Sequence, residues 1–144
     1  MSKIRTFDMH KFLPYLLNQA SEKSGLAFER HYKARYGMLR AEWRVMFHLG
    51  SFGSLSATDI TFRALMHKTK ISRAVRALEL KGFLKRARQK LDRRSESLQL
   101  TALGFRAFEK LRIVAGEFDK EICKGLPEAD LMVLRKCLSK LAKN

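Results

Sequence analysis

Lys85-Arg-Ala-Arg-Gln-Lys-Leu-Asp-Arg-Arg94 sits at the centre of the stretch from Leu55 to Gly104, and the reading of that stretch decides the fold. A helix with a narrow apolar stripe and a basic outer face precedes it, and an alternating strand follows. From Lys68 to Arg94 there are eleven Lys and Arg against two acids, Glu79 and Asp92, a net +9 in 27 residues. The whole 144-residue chain carries +16, so more than half of its excess positive charge falls in under a fifth of its length. Charge gathered beside one helix and one loop is the footprint of a surface that meets phosphates.

Ser56 reads as a helix N-cap with Asp59 at the third helical position, and Leu55 and Ile60 flank it as a hydrophobic staple. That spacing predicts a short helix over about 57–66. A tight turn near His67 leads to a second helix over about 69–81, stopped by Gly82. Two short helices joined by a tight turn form a helix-turn-helix. In the second, Ile71, Val75 and Leu78 recur at i, i+4 and i+7 and face the core. Thr69, Lys70, Ser72, Arg73 and Arg76 are left facing outward, the residue types that suit base edges and phosphates. Phe83 begins a strand, and Glu96-Ser-Leu-Gln-Leu-Thr101 alternates with Leu98 and Leu100 on one face. The eight or so residues between read as a long charged loop, a β-wing whose cations Arg88, Lys90, Arg93 and Arg94 project toward DNA. Arginine of this kind enters a narrow, strongly negative minor groove.

Outward from this centre the periodicity is helical. Residues from about 11 to 36 carry Phe12, Leu13, Leu16, Leu17, Ala20, Ala27 and His31 at three-to-four spacing, with Pro14 in the first turn and Gly37 as the stop. A shorter helix over about 40–49 contains Trp43, Met46 and Phe47, with Gly50 as its C′ residue. Thr101 caps a helix over about 102–124, flanked by Leu100 and Phe105. Gly125-Leu-Pro127 then opens a last helix with Leu131, Leu134, Leu138 and Leu141 on a heptad-like seam. The stripes of the first and last helices lack a partner within so small a domain, which predicts a homodimer.

The apolar fraction of 46% suffices for a core, and no apolar run is long enough for a membrane span. The start of the chain lacks the pattern of a secretory signal. Cys123 and Cys137 are expected to be ordinary buried thiols in a reducing, cytoplasmic setting. Four scattered histidines, two cysteines and 14 acids form no catalytic or metal-ligand spacing, so neither an enzyme nor a metal or other cofactor is expected.

The order of parts resembles the MarR (multiple antibiotic resistance regulator) family of bacterial transcription factors. The resemblance rests on Glu42-Trp-Arg-Val-Met-Phe, on the run from Ile71 to Arg86, and on Asp92-Arg-Arg94 followed by Leu100-Thr-Ala-Leu-Gly104. It implies a mainly α fold with a small β-wing, one domain over 1–144. A winged helix-turn-helix lobe would span about 40–104, and dimerisation helices about 8–37 and 105–144. It further implies a cytoplasmic homodimer bound to a palindromic operator on double-stranded DNA, acting as a repressor. Arg94 resembles the wing-tip arginine, Asp92 the acid that holds the wing's shape, and Arg73 a recognition-helix contact. In relatives a small phenolic or aromatic effector binds between the dimer helices and the DNA-binding lobe. Phe12, Tyr15, His31, Trp43 and Phe47 are the candidates to line such a pocket, although packed core is the favoured reading of all five. The rival reading is a non-specific architectural DNA binder with the same charge and wing, distinguished by its lack of preference for any one duplex.

Overall fold

The computed structural model describes residues 6–89 and 92–143, and the side chains of residues 89 and 92–95 lie outside that description. A single 3-10 turn, Met9–Lys11, leads into α1, Leu13–Tyr36. Pro14 is tolerated because it lies in the first turn, where no backbone N–H is needed. Gly37 ends the helix in a left-handed conformation at φ +62°, the role its position in the sequence suggests. There follow α2, Arg40–Phe52; α3, Ala57–Ala64; and α4, Lys68–Leu80. An antiparallel ribbon of β1, Leu84–Gln89, and β2, Asp92–Leu100, precedes α5, Ala102–Ile122, and α6, Glu128–Lys143.

Local signals hold where they are strong. Ser56 Oγ accepts from Asp59 N at 3.0 Å, and the Asp59 carboxylate accepts from Ser56 N at 3.0 Å. This reciprocal cap starts α3 and holds the Asp59 carboxyl below the usual aspartate range. Thr101 Oγ1 caps α5 by accepting from Gly104 N at 3.0 Å. The core gathers Val45, Met46 and Leu49 of α2, Ile60 of α3, Ile71, Val75 and Leu78 of α4, and Phe108 and Leu111 of α5. Leu55 and Leu98 exchange both backbone hydrogen bonds, at 3.2 and 2.7 Å, and so clamp the wing's base to the entry of α3.

Three boundaries differ from the sequence reading, each for a tertiary reason. Gly50 is not a C′ residue: α2 runs on to Phe52 and is closed by Gly53 at φ +80°. A Cβ at Gly50 would lie 2.5 Å from the Phe108 ring, so this glycine lets α5 approach α2. Helix α3 stops at Ala64 because Leu65 turns left-handed at φ 52°, which drops Met66 into the core. The Arg44 guanidinium donates to the Ala64 carbonyl and so closes that helix end. The wing is not an eight-residue loop. Its strands pair up to Gln89 and resume at Asp92, with a register shift at Arg88/Gln89, because backbone pairing proceeds regardless of side-chain charge.

Gly25, a weak point inside the α1 pattern, is explained by a close approach. The Arg40 guanidinium lies over it, 2.9 Å from a Cβ placed there, and donates to Glu22 at 3.2 Å and Ser21 at 3.3 Å. Helix α6 stands off the core and has no buried residue. Cys137 on it is accordingly exposed and Cys123 half-buried, contrary to the expectation of two buried thiols.

Tyr32 is buried and stacks on Trp43 with ring centroids 5.8 Å apart and planes at 14°. Burial, aided by the Glu29 carboxylate, pushes its phenol up from 10.0 to about 12. The fold favours the neutral phenol, so this contribution is intact below pH 10.0 and is lost as pH rises through about 12. Alkaline titration followed by tyrosinate absorbance and circular dichroism should show one of the three tyrosines ionising last, together with unfolding. Ionisation of all three with the fold intact would contradict this account.

Candidate nucleic-acid interface

Helix α4 presents two faces. Ile71, Ala74, Val75 and Leu78 are buried, while Thr69, Lys70, Ser72, Arg73 and Arg76 are all exposed. The five outward residues expected from periodicity therefore share one solvent-facing side. Lys68, absent from the sequence-based set, is also exposed in the first turn. Sequence reasoning passed over His67, which is the N-cap: its Nδ1 accepts from Thr69 N at 3.2 Å. Asp, Asn, Ser and Thr are the usual cap signals, so a histidine in that role is easily missed.

Not every cation near the wing is available to phosphates. Lys81 Nζ donates to the buried Glu42 at 2.8 Å, and the second Glu42 oxygen accepts from Leu39 N at 2.9 Å. Arg86 donates through Nε to Glu79 at 3.1 Å and through a terminal nitrogen to Glu96 at 3.2 Å. The Glu96 bond, joined by Glu79, pushes the Arg86 guanidinium above its ordinary range. By contrast, among the described residues none of Lys68, Lys70, Arg73 and Arg76 forms an ion pair. The outer face of α4 thus carries four exposed cations that are outside any ion pair among the described residues.

On the wing, Arg88 is exposed on β1 and pairs in register with Glu96. Lys90 and the side chains of Asp92, Arg93 and Arg94 lie outside the described residues.

The five aromatic and histidine candidates fall into two groups. His31, Trp43 and Phe47 belong to one cluster with Phe28 and Phe118. Phe28 lies 5.5 Å from His31, 5.4 Å from Trp43 and 5.1 Å from Phe118, and Trp43 lies 5.7 Å from Phe47. Phe47 keeps an exposed edge, and His31 and Trp43 are half-buried. Phe12 and Tyr15 sit at the far end of α1, beside Phe7 and His10. Sixteen residues of helix separate Tyr15 from His31, about 24 Å. One chain does not bring the two groups together.

Among the described residues no group of His, Cys, Asp and Glu is arranged to hold a metal ion, and no helix is long and apolar enough to cross a membrane.

A family model described as "MarR family" matches residues 36–95, which run from the end of α1 through the wing hairpin. The chain is 26% identical over 102 residues to the HTH-type transcriptional repressor IacR of Pseudomonas putida; the match covers 71% of this chain and 61% of that relative's length. The fold superposes on a MarR/EmrR family transcriptional regulator from Acinetobacter sp. ADP1 with a TM-score of 0.86 and 25% identity, covering 95% of this chain and 96% of the other. It superposes on NadR, solved in complex with 4-hydroxyphenylacetate, with a TM-score of 0.81 and 25% identity, covering 97% and 99%. With a helix-turn-helix whose second helix turns its cations outward, a two-stranded wing behind it and these matches, the chain has the winged-helix fold of MarR family transcriptional regulators and is similar to that family over residues 36–95.

Proposed function

We propose that this protein is a sequence-specific double-stranded DNA-binding repressor that acts as a homodimer on a palindromic operator in the cytoplasm. One observation carries the reading: the outward face of α4 holds Lys70, Arg73 and Arg76 with Thr69 and Ser72, and no acid pairs with any of these cations among the described residues. Thr69, Ser72 and Arg73 near the start of α4 would read base edges. Lys70 and Arg76 would hold phosphates. Arg88, Lys90, Arg93 and Arg94 would serve the wing, with Asp92 shaping it, and binding needs no catalytic chemistry.

Dimerisation is supported by the apolar side chains left in water at the two chain ends. Leu13, Leu16 and Leu17 on α1, and Leu134, Leu138 and Leu141 on α6, are all substantially exposed. Burying them against a second copy returns about 25 cal/mol per Å² of apolar surface. Effector release is the further part of the proposal. The NadR complex supports an aromatic acid, and His31, Trp43 and Phe47 offer the aromatic wall. Phe12 and Tyr15 would reach that wall only from a second copy.

Footprinting on the DNA upstream of the protein's own gene is expected to show two half-sites about one helical turn apart. Arg73→Ala should then lower operator affinity by about 1–3 kcal/mol while leaving the unfolding temperature unchanged. Equal affinity of the parent protein for operator and random duplex would replace this reading with an architectural one. With 4-hydroxyphenylacetate as the probe, a rise in unfolding temperature and release from DNA would support the effector, and no shift would remove it.

A further inference from the structure

The wing is a two-stranded ribbon, a form that is marginal by itself. At its base it is well fixed. Leu55 and Leu98 exchange backbone bonds, Thr101 N donates to the Phe83 carbonyl at 3.0 Å, and Leu84 and Leu98 are buried. Beyond Leu98, the described residues offer one tertiary anchor, the Arg86 fork. Its Nε–H donates to Glu79 in the last turn of α4, and its terminal N–H donates to Glu96 on β2. One planar guanidinium therefore touches the helix and, through its own strand and the facing one, both halves of the ribbon. The rigid spacing of its donors makes that three-way joint angular as well as electrostatic.

We propose that Arg86 is a positioning residue that sets the angle of the wing against α4, so that the wing tip and the outer face of α4 meet DNA in a fixed relation; this rests on the DNA-binding reading above. The leverage is geometric. Three strand residues beyond Arg86, Ala87 to Gln89, span about 10 Å, so a tilt of ~10° displaces the end of β1 by ~2 Å, enough to lose a hydrogen bond. Glu96 lies two residues from Arg94 in β2, so the joint acts close to the proposed minor-groove side chain. The arrangement also gives a use to two acids beside a DNA-binding surface, where they lower phosphate affinity if they serve nothing else.

The test separates positioning from phosphate contact. Hydrogen exchange on the free protein reads the joint without DNA. Arg86→Met is expected to speed exchange at the paired backbone of Ala87, Arg88, Glu96 and Ser97, with α4 unaffected. In a salt series on operator and random duplexes, Arg86→Lys keeps the charge but loses the fork, and Glu79→Gln makes the protein more positive. Both are expected to weaken operator binding about fivefold, with the salt slope unchanged and random-duplex binding equal or tighter.

Several results overturn the proposal. These are unchanged wing exchange in Arg86→Met, operator affinity retained by Arg86→Lys, tighter operator binding by Glu79→Gln, or a salt slope reduced by about one on both duplexes in Arg86→Met, which would mark Arg86 as a phosphate contact. If the parent protein shows no operator preference, the DNA-binding reading fails by itself, and the exchange result still decides whether Arg86 holds the wing.

Discussion

Gly104→Ala is expected to destabilise the protein by about 3 kcal/mol or more, lowering its unfolding temperature by roughly 6–12 °C. A Cβ at this position would lie 2.0 Å from the Phe83 carbonyl oxygen, 2.8 Å from its carbon and 3.0 Å from its Cα. All three atoms are backbone, so no side-chain rotation relieves the overlap. The same carbonyl accepts from Thr101 N at 3.0 Å, and Gly104 N donates to the Thr101 cap. Moving either element therefore breaks the junction where the wing's first strand meets the start of α5. Overpacking by one methyl commonly costs about 1–3 kcal/mol, and a rigid backbone neighbour puts this case at the upper end. Thermal unfolding by circular dichroism measures it, and an alanine variant within about 2 °C of the parent would refute the packing argument.

Glu42→Leu is expected to cost about 2–4 kcal/mol, and Glu42→Leu combined with Lys81→Met to recover much of that loss. Glu42 is the single buried charged side chain among the described residues, 3% exposed. Its carboxylate is fully engaged, by Lys81 on one oxygen and by Leu39 N on the other. Lys81 directly follows α4, so the pair fastens the end of that helix to the first turn of α2. Removing the acid alone strands the ammonium in a half-buried position, with partial access to water softening the penalty. Replacing both partners with apolar side chains removes the desolvation cost as well as the attraction. Chemical denaturation of the single and double variants gives the coupling. A coupling near zero would mean that the pair contributes nothing to the fold.

These two sites mark where reading the chain in one dimension ends. Gly104 fell inside a recognised run, Leu100-Thr-Ala-Leu-Gly104, but the backbone it must clear belongs to Phe83, 21 positions earlier. Glu42 looked like part of a helix beside a tryptophan, and its partner lies 39 positions away. Gly50 reads as a helix end because glycine commonly stands there. Its actual reason is the Phe108 ring, which no local pattern announces. In the sequence, the wing reads as a long loop because its residues are charged. A ribbon exposed to water on its outer face carries charge readily, and its hydrogen bonds are indifferent to side-chain type.

What was legible had short range. The faces of α4 follow from a 3.6-residue period, the start of α3 from a cap reaching three residues, and the strand of the wing from strict alternation. Those signals suffice to place a helix-turn-helix before a wing, to name the outward residues Thr69, Lys70, Ser72, Arg73 and Arg76, and to suggest the family. They do not say which charges are available. Counting gave eleven cations between Lys68 and Arg94, yet Lys81 and Arg86 are committed to Glu42, Glu79 and Glu96. Periodicity and capping act between neighbours in the chain, and sequence alone determines them. Ion pairing and close approach act between neighbours in space, so the cations left outside ion pairs among the described residues, and the glycines that must stay glycines, were decided only when the helices and the wing packed together.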